Sequence, residues 1–317
     1  MLNWRKPKPV ALPNVWISHA SSRRHRMEDG HPECPERLAV VEDRLVSSGL
    51  ELFLERREAP AAPLEALLRV HEADHVESVL RTHPEQGLVH IDPDTSMNAY
   101  TADAALHAAG AGVLGVELAM NKHAGFVFCG VRPPGHHAER HRAMGFCFFN
   151  NVAVAAAEAL ARGLRRVAIL DFDVHYGNGT ADIFRDDPRV LLCSTYQYPL
   201  YPDWHGEPDA PGRVDVPLSP GDGSDCYRTA VQQRWLPALE KFAPEMLLVS
   251  AGFDAHVRDP LSDLRLVEDD FYWTGTQIRD FAAKRCEGRV VATLEGGYDP
   301  YALAVCVESF VRPFIGA

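Results

Sequence analysis

The chain lacks a surplus of positive charge: its 317 residues carry 32 Lys plus Arg against 44 Asp plus Glu, a net charge of −12. Nucleic-acid binders usually show a basic face or a high pI, so no nucleic-acid partner is expected. R-R-H-R at 23–26 is too short to build such a face. The chain also lacks any run near the ~18–20 uncharged apolar residues of a membrane span, so no membrane partner is expected either. Its most apolar window, Val152 to Ala161, is broken by Glu158. The charged start M-L-N-W-R-K-P-K-P is followed by no apolar stretch and does not read as a secretory signal. No C-x-x-C pair occurs among the seven cysteines. That excludes a disulfide scaffold and a cysteine-rich zinc module, and suits a reduced, cytoplasmic chain. No Walker lysine is present and no G-x-G-x-x-G follows a strand-like run, so a nucleotide phosphate loop is not expected.

What is present reads as one globular α/β domain over 1–317, with 46% hydrophobic residues and neither repeats nor low-complexity linkers. Continuous apolar runs predict strands at Val15–Ser18, Phe126–Cys129, Val167–Asp171, Val190–Ser194, Met246–Ser250 and Val290–Leu294. Runs without alternation imply burial on both faces, as in a parallel sheet covered by helices. Helical patterns fall near 36–48, 72–81, 100–121, 150–162, 225–241, 268–284 and 301–312, with Asn150 or Asn151 as N-cap of the Ala-rich one. The alternation argues for three layers. The Pro-, Gly- and Asp-dense stretch 199–223, which includes Tyr201 and Trp204, predicts a long loop beside a site.

Ligands of open α/β sheets bind beyond the carboxyl ends of the strands. Four predicted strands run there into polar, metal-competent sequences: R-P-P-G-H-H (132–137), D-F-D-V-H-Y-G-N-G-T (171–180), S-A-G-F-D-A-H (250–256) and E-G-G-Y (295–298). In extended chain Asp171, Asp173 and His175 share one face, where buried ionisable groups need a cation between them. Asp254 adds a carboxylate from another strand end. Asp173, His175 and Asp254 then form a three-ligand set with an open position, the layout of a catalytic metal. Two carboxylates leave the metal a weak acidifier of water, so a separate base and oxyanion donor are required. The tandem His136 and His137 on a Pro-Gly turn can supply the first, and Tyr298 after Gly296-Gly297 the second. In G-F-C-F-F-N-N (145–151), Phe146, Phe148 and Phe149 suggest an apolar wall, at least one of them being ordinary core.

R-P-P-G-H-H-A, G-F-C-F-F-N-N, D-F-D-V-H-Y-G-N-G-T, S-A-G-F-D-A-H and L-E-G-G-Y, in that order, together resemble the histone deacetylase superfamily over about residues 15–312. That superfamily includes bacterial histone deacetylase-like amidohydrolases, acetylpolyamine amidohydrolases and acetoin-utilisation proteins. Asn178, where class I members carry an aspartate, makes the chain class II-like. The resemblance implies an arginase-like α/β/α sandwich on a mainly parallel eight-stranded sheet, two strands more than the pattern gives. It implies Zn²⁺ on Asp173, His175 and Asp254, with Fe²⁺ or Co²⁺ as alternatives. It implies His136 oriented by Asp171 and His137 by Asn178, with His137 as general base and His136 cationic and returning the proton. Tyr298 would bind the scissile carbonyl. A potassium ion is implied at Asp171, Asp173, His175, Ser194 and Thr195, largely through carbonyls. The implied substrate contacts are Asp94 at the rim, Gly145 and Phe146 on one tunnel wall, Tyr201 near the other, Leu261 and Gly296.

The reading is therefore a metal-dependent amidohydrolase that removes acetyl or other acyl groups from acetyl-lysine-type amides. One alternative is a deacetylase of acetylpolyamines or other small amides. Polyamine-selective members carry a gate glutamate where this chain has Leu261, which favours acyl-lysine, whereas P-E-C-P-E-R at 32–37 resembles a segment that narrows some polyamine enzymes. A remote alternative is a non-catalytic acyl-lysine reader. A binuclear manganese ureohydrolase would need further aspartates where Asn178 and the tandem histidines stand. Homo-oligomerisation is left open by the sequence.

Overall fold

The computed structural model describes residues 12–203 and 210–316. Its central sheet comprises β1 (Asn14–Ser18), β2 (Leu54–Glu58), β5 (Phe126–Cys129), β6 (Val167–Asp171), β7 (Val190–Gln197), β8 (Arg213–Leu218), β9 (Leu247–Ala251) and β10 (Val290–Leu294). A small antiparallel hairpin, β3 (Val89–His90) with β4 (Ser96–Met97), lies apart from it. The eight strands stand in the order β2-β1-β5-β10-β9-β6-β7-β8, every neighbouring pair parallel. Helices are α1 (Glu36–Ser47), α2 (Leu64–Leu68), α3 (Ala73–Arg81), α4 (Thr101–Met120), α5 (Asn151–Ala161), α6 (Asn178–Ile183), α7 (Ser224–Ala230), α8 (Leu236–Phe242), α9 (Glu268–Arg285) and α10 (Pro300–Ile315).

Alternate residues of the same strands divide between two cores. Trp16, Phe128, Leu170, Val249 and Ala292 pack with α1, α9 and α10, while Val15, Val127, Ile169, Leu248 and Val291 pack with α4 and α5. Helices thus cover both faces, which is why the strands read as unbroken apolar runs. All six expected strands form. The two missed ones, β2 and β8, are the edges. L-E-R-R-E has one buried residue followed by four exposed ones. R-V-D-V-P-L only half-alternates. Edge strands carry charge and proline because one side faces no neighbour.

The expected loop at 199–223 is accordingly corrected: its 213–218 portion is β8, and Trp204 lies outside the described residues. The helix expected at 225–241 is interrupted by a π-helical turn at Val231–Trp235. Of the two N-cap candidates for α5, Asn150 is the one that caps, its side chain accepting from Ala153 N. No helix among the described residues is long and apolar enough to cross a membrane.

Candidate active site

The four strands with polar carboxyl ends are consecutive in the sheet: β5, β10, β9 and β6. Register then brings 132–137, 295–298, 250–256 and 171–175 to one edge. Extended geometry stops at Asp171, because the chain bends through 173–175. Asp173 N donates to Asp171 Oδ1 at 3.1 Å and His175 N to Asp173 Oδ1 at 2.9 Å, so each carboxylate folds back on the main chain two residues on. The expectation that Asp171 shares a face with Asp173 and His175 is corrected by this bend. Asp171 turns instead to His136, its Oδ2 lying 3.0 Å from Nδ1.

Asp173, His175 and Asp254 do come together, with one ligand atom from each within 4.8 Å of the others, all three buried. His175 Nδ1 lies 3.0 Å from Asp173 Oδ1 and 3.2 Å from Asp254 Oδ2. Val174 N donates to Asp254 Oδ1 at 2.9 Å and Gly296 N to Asp173 Oδ2 at 2.8 Å. Asp254 Oδ2 receives no well-aligned hydrogen bond, although it is buried. Burial and the Asp173 charge push the Asp254 carboxyl up to about 7. A buried oxygen without a well-aligned donor, beside a second carboxylate and an imidazole, suits a divalent cation. Gly296 is part of this cradle: a Cβ there would stand 2.0 Å from Asp254 Oδ2 and 2.6 Å from Asp173 Oδ2. It does not line the substrate cavity, contrary to its expected substrate role.

The tandem histidines are buried and differ electrostatically. Burial disfavours the His136 cation, but Asp173 and Asp171 outweigh it and hold its pKa well above the ordinary value. Burial and the neighbouring His136 and His175 hold His137 well below it. His137 Nδ1 lies 2.7 Å from Asn178 Oδ1. Of the pair, only His137 reaches the cavity wall.

That cavity, about 230 Å³, is lined by Asp94, His137, Gly145, Phe146, His175, Leu200, Tyr201, Leu261 and Tyr298. Five of the six expected substrate contacts lie there, with Leu200 an addition. Gly145 and Phe146 sit at the tip of a tight turn closed by the paired Met144 and Cys147, with φ of +55° and +68°. A side chain at 145 would meet His137 Cδ2 at 2.6 Å, so only glycine lets this turn press against the imidazole. Phe146 tolerates its left-handed backbone with its N–H bound to Thr95 Oγ1 at 3.0 Å, and its ring meets Tyr298 edge-on at 5.9 Å. Phe148 and Phe149 are core. Tyr201 faces His137 edge-on at 5.2 Å. Burial pushes the Tyr298 phenol well above its ordinary value against the opposing pull of Arg37, so it stays a proton donor. Asp94 stands at the β3–β4 turn, its carboxyl raised by burial and by Asp92. Asp171 and Ser194 are register partners on β6 and β7, next to Thr195, and Ser194 Oγ is buried without a hydrogen-bond partner.

No residue of the segment 32–37 lines the cavity. Its Glu33 and Arg37 are buried. Glu33 binds Arg132, while Arg37 Nε donates to Gly297 O at 2.7 Å and its guanidinium lies 4.8 Å from the Tyr298 ring centroid. Sequence reading also missed Glu295. Fully buried, it accepts from Gly135 N, His136 N and Ser250 Oγ at 2.7, 3.2 and 3.1 Å. Its place at the end of an apolar strand was the available clue.

Residues 31–314 match the family described as Histone deacetylase domain. A histone deacetylase-like amidohydrolase of Pseudomonas aeruginosa is 39% identical over 295 residues, 90% of this chain and 77% of the relative. A probable deacetylase of Archaeoglobus fulgidus is 37% identical over 293 residues, 89% and 80% of the two chains. The polyamine deacetylase HDAC10 of Homo sapiens is 36% identical over 95% of this chain, though over only 48% of its own length. The crystal structure of the HDA15 HD domain superposes with a TM-score of 0.90 at 31% identity, covering 96% of this chain and 88% of that one. That likeness places the eight-stranded parallel sheet and its two helical layers in the deacetylase-type α/β/α fold. With the match running through every strand end that carries the site, the chain belongs to the histone deacetylase family.

Proposed function

We propose that this protein is a metal-dependent amidohydrolase that removes acetyl or related acyl groups from lysine-type amides. The observation that carries the reading is the single cavity wall shared by His175, His137 and Tyr298, a metal-ligand candidate, a neutral base and a neutral phenol donor. A divalent ion on Asp173, His175 and Asp254, Zn²⁺ by donor type with Fe²⁺ or Co²⁺ as alternatives, would supply Lewis acidity to the acyl oxygen and acidify a water. Phe146, Tyr201, Leu200 and Leu261 would hold the aliphatic stem and exclude bulk water. His137, its Nδ1 occupied by Asn178, would take the proton of the attacking water through Nε2 and return it to the departing amine nitrogen as the C–N bond breaks. His136 lies behind the wall, so it would act as a fixed cation instead of returning the proton itself. Tyr298 would donate to the oxyanion that develops on the acyl oxygen. A potassium ion near Asp171, Asp173, His175, Ser194 and Thr195 would give the lone Ser194 Oγ a partner.

Leu261 leaves the cavity wall apolar where a gate carboxylate would stand, which favours an acyl-lysine stem over a polyamine, with Asp94 the one carboxylate among the described residues of that wall. Competition on the zinc-loaded protein between an acetyl-lysine peptide and acetylputrescine tests this. A preference for the peptide is expected; a 100-fold preference for the polyamine would move the substrate while keeping the chemistry.

A further inference from the structure

An asparagine beside a base does not orient itself. Its amide offers an oxygen at one end and two N–H donors at the other, and the two orientations are nearly equal in shape. With the oxygen of Asn178 toward His137, Nδ1 carries the hydrogen and Nε2 is bare. With the NH₂ toward the ring, Nδ1 must be the bare nitrogen, Nε2 carries the hydrogen, and the face toward the cavity cannot accept a proton.

The far side of Asn178 decides between them. Asn178 Nδ2 donates to Glu139 Oε1 at 2.8 Å, much closer than its other acceptors, His137 O at 3.4 Å and Met144 Sδ at 3.3 Å. A carboxylate only accepts, so it holds the NH₂ end and leaves Oδ1 to face His137 Nδ1 at 2.7 Å. Glu139 is itself fixed. Arg142 Nε and Nη2 donate to its two oxygens at 2.7 and 3.1 Å, and the Glu139 side chain is only 15% exposed. Its main-chain carbonyl lies 2.9 Å from His71 Nδ1, and His71 Nε2 accepts from Asn150 N at 2.9 Å. Glu139 does not line the cavity.

We propose that Glu139 is a positioning residue: it sets the amide orientation of Asn178 and through it the tautomer in which His137 acts. The catalytic half of the inference rests on reading His137 as the base. The arrangement is conditional on an amide at 178. An aspartate there would accept from His137 whichever way it turned, and its second oxygen would oppose the Glu139 carboxylate directly. The contribution of Glu139 must therefore change sign between the two backgrounds.

The test compares wild type, E139Q, N178D and E139Q/N178D, all zinc-loaded, with ¹⁵N-histidine NMR of the His137 ring in wild type and E139Q as a readout independent of turnover. The glutamine of E139Q can present N–H to Asn178 and let the amide turn. E139Q is expected to lose about 10-fold in kcat at unchanged KM, the factor of one charge-assisted hydrogen bond, and to show the Nε2–H tautomer of His137. In the N178D background the same change is expected to raise kcat. Equal losses in both backgrounds, or a His137 tautomer that E139Q leaves untouched, would overturn the proposal. A tautomer shift in E139Q that leaves kcat unchanged would instead support the positioning and refute the reading of His137 as base.

Discussion

The Glu295 carboxylate accepts the main-chain N–H of Gly135 at 2.7 Å, tying the end of β10 to the turn that carries both histidines. It also takes the His136 N–H, so two buried donors depend on one side chain. E295A would orphan both. At about 1–3 kcal/mol for each unsatisfied buried donor, urea unfolding should show a loss of about 2–5 kcal/mol. E295Q keeps an acceptor oxygen and should lose less. Equal stability of E295A and wild type would refute the account of this turn.

The Gly296 cradle predicts a metal defect without loss of any ligand. A methyl group there would stand 2.0 Å from Asp254 Oδ2, so G296A must displace a carboxylate. Its metal content after dialysis, read by elemental analysis, is expected to fall well below that of wild type, with D254A lower still. Full occupancy in G296A would show that the two carboxylates can retreat.

Tyr298 is held as a neutral phenol beside Arg37 and Phe146. Y298F should lower kcat by about 10²–10³, the usual cost of one oxyanion donor, with metal content unchanged. Retention of full activity would remove Tyr298 from the chemistry.

His71 predicts acid sensitivity. Burial and the neighbouring His75 lower its pKa to about 3. Unfolded, it titrates near 6.5, so between those values the unfolded chain binds the extra proton. Its contribution is complete above pH 6.5 and is lost progressively as pH falls toward 3. Protonated Nε2 could no longer accept the Asn150 N–H. Against wild type, H71N should flatten the fall of unfolding free energy with falling pH by up to about 1.4 kcal/mol per pH unit. Parallel curves for the two proteins would contradict this.

Leu261 offers a gain-of-function check. L261E would put a carboxylate on the cavity wall and should raise kcat/KM for acetylspermidine relative to an acetyl-lysine peptide. An unchanged ratio would show that position 261 does not read the cation.

The central strands were legible because burial on both faces writes itself as continuous apolar sequence, as in Val167–Asp171. The edges were not, since β2 packs Leu54 and leaves the next four residues to solvent. At the site, residues placed just after apolar strands, such as Asp173, Asp254 and Tyr298, could be read because parallel strands deliver their ends to one edge. Glu33, Arg37 and Glu139 could not, since their partners lie 99, 260 and 39 residues away and only the folded chain pairs them. Asp171 shows the limit of periodicity: the i, i+2, i+4 rule ends where the strand does.

The most direct test of the account is acetate release from an acetyl-lysine peptide by the zinc-loaded protein, by the same protein after chelation, and after reloading. The account predicts release that disappears on chelation and returns with the metal. Release that survives chelation, with metal removal verified by elemental analysis, would contradict it.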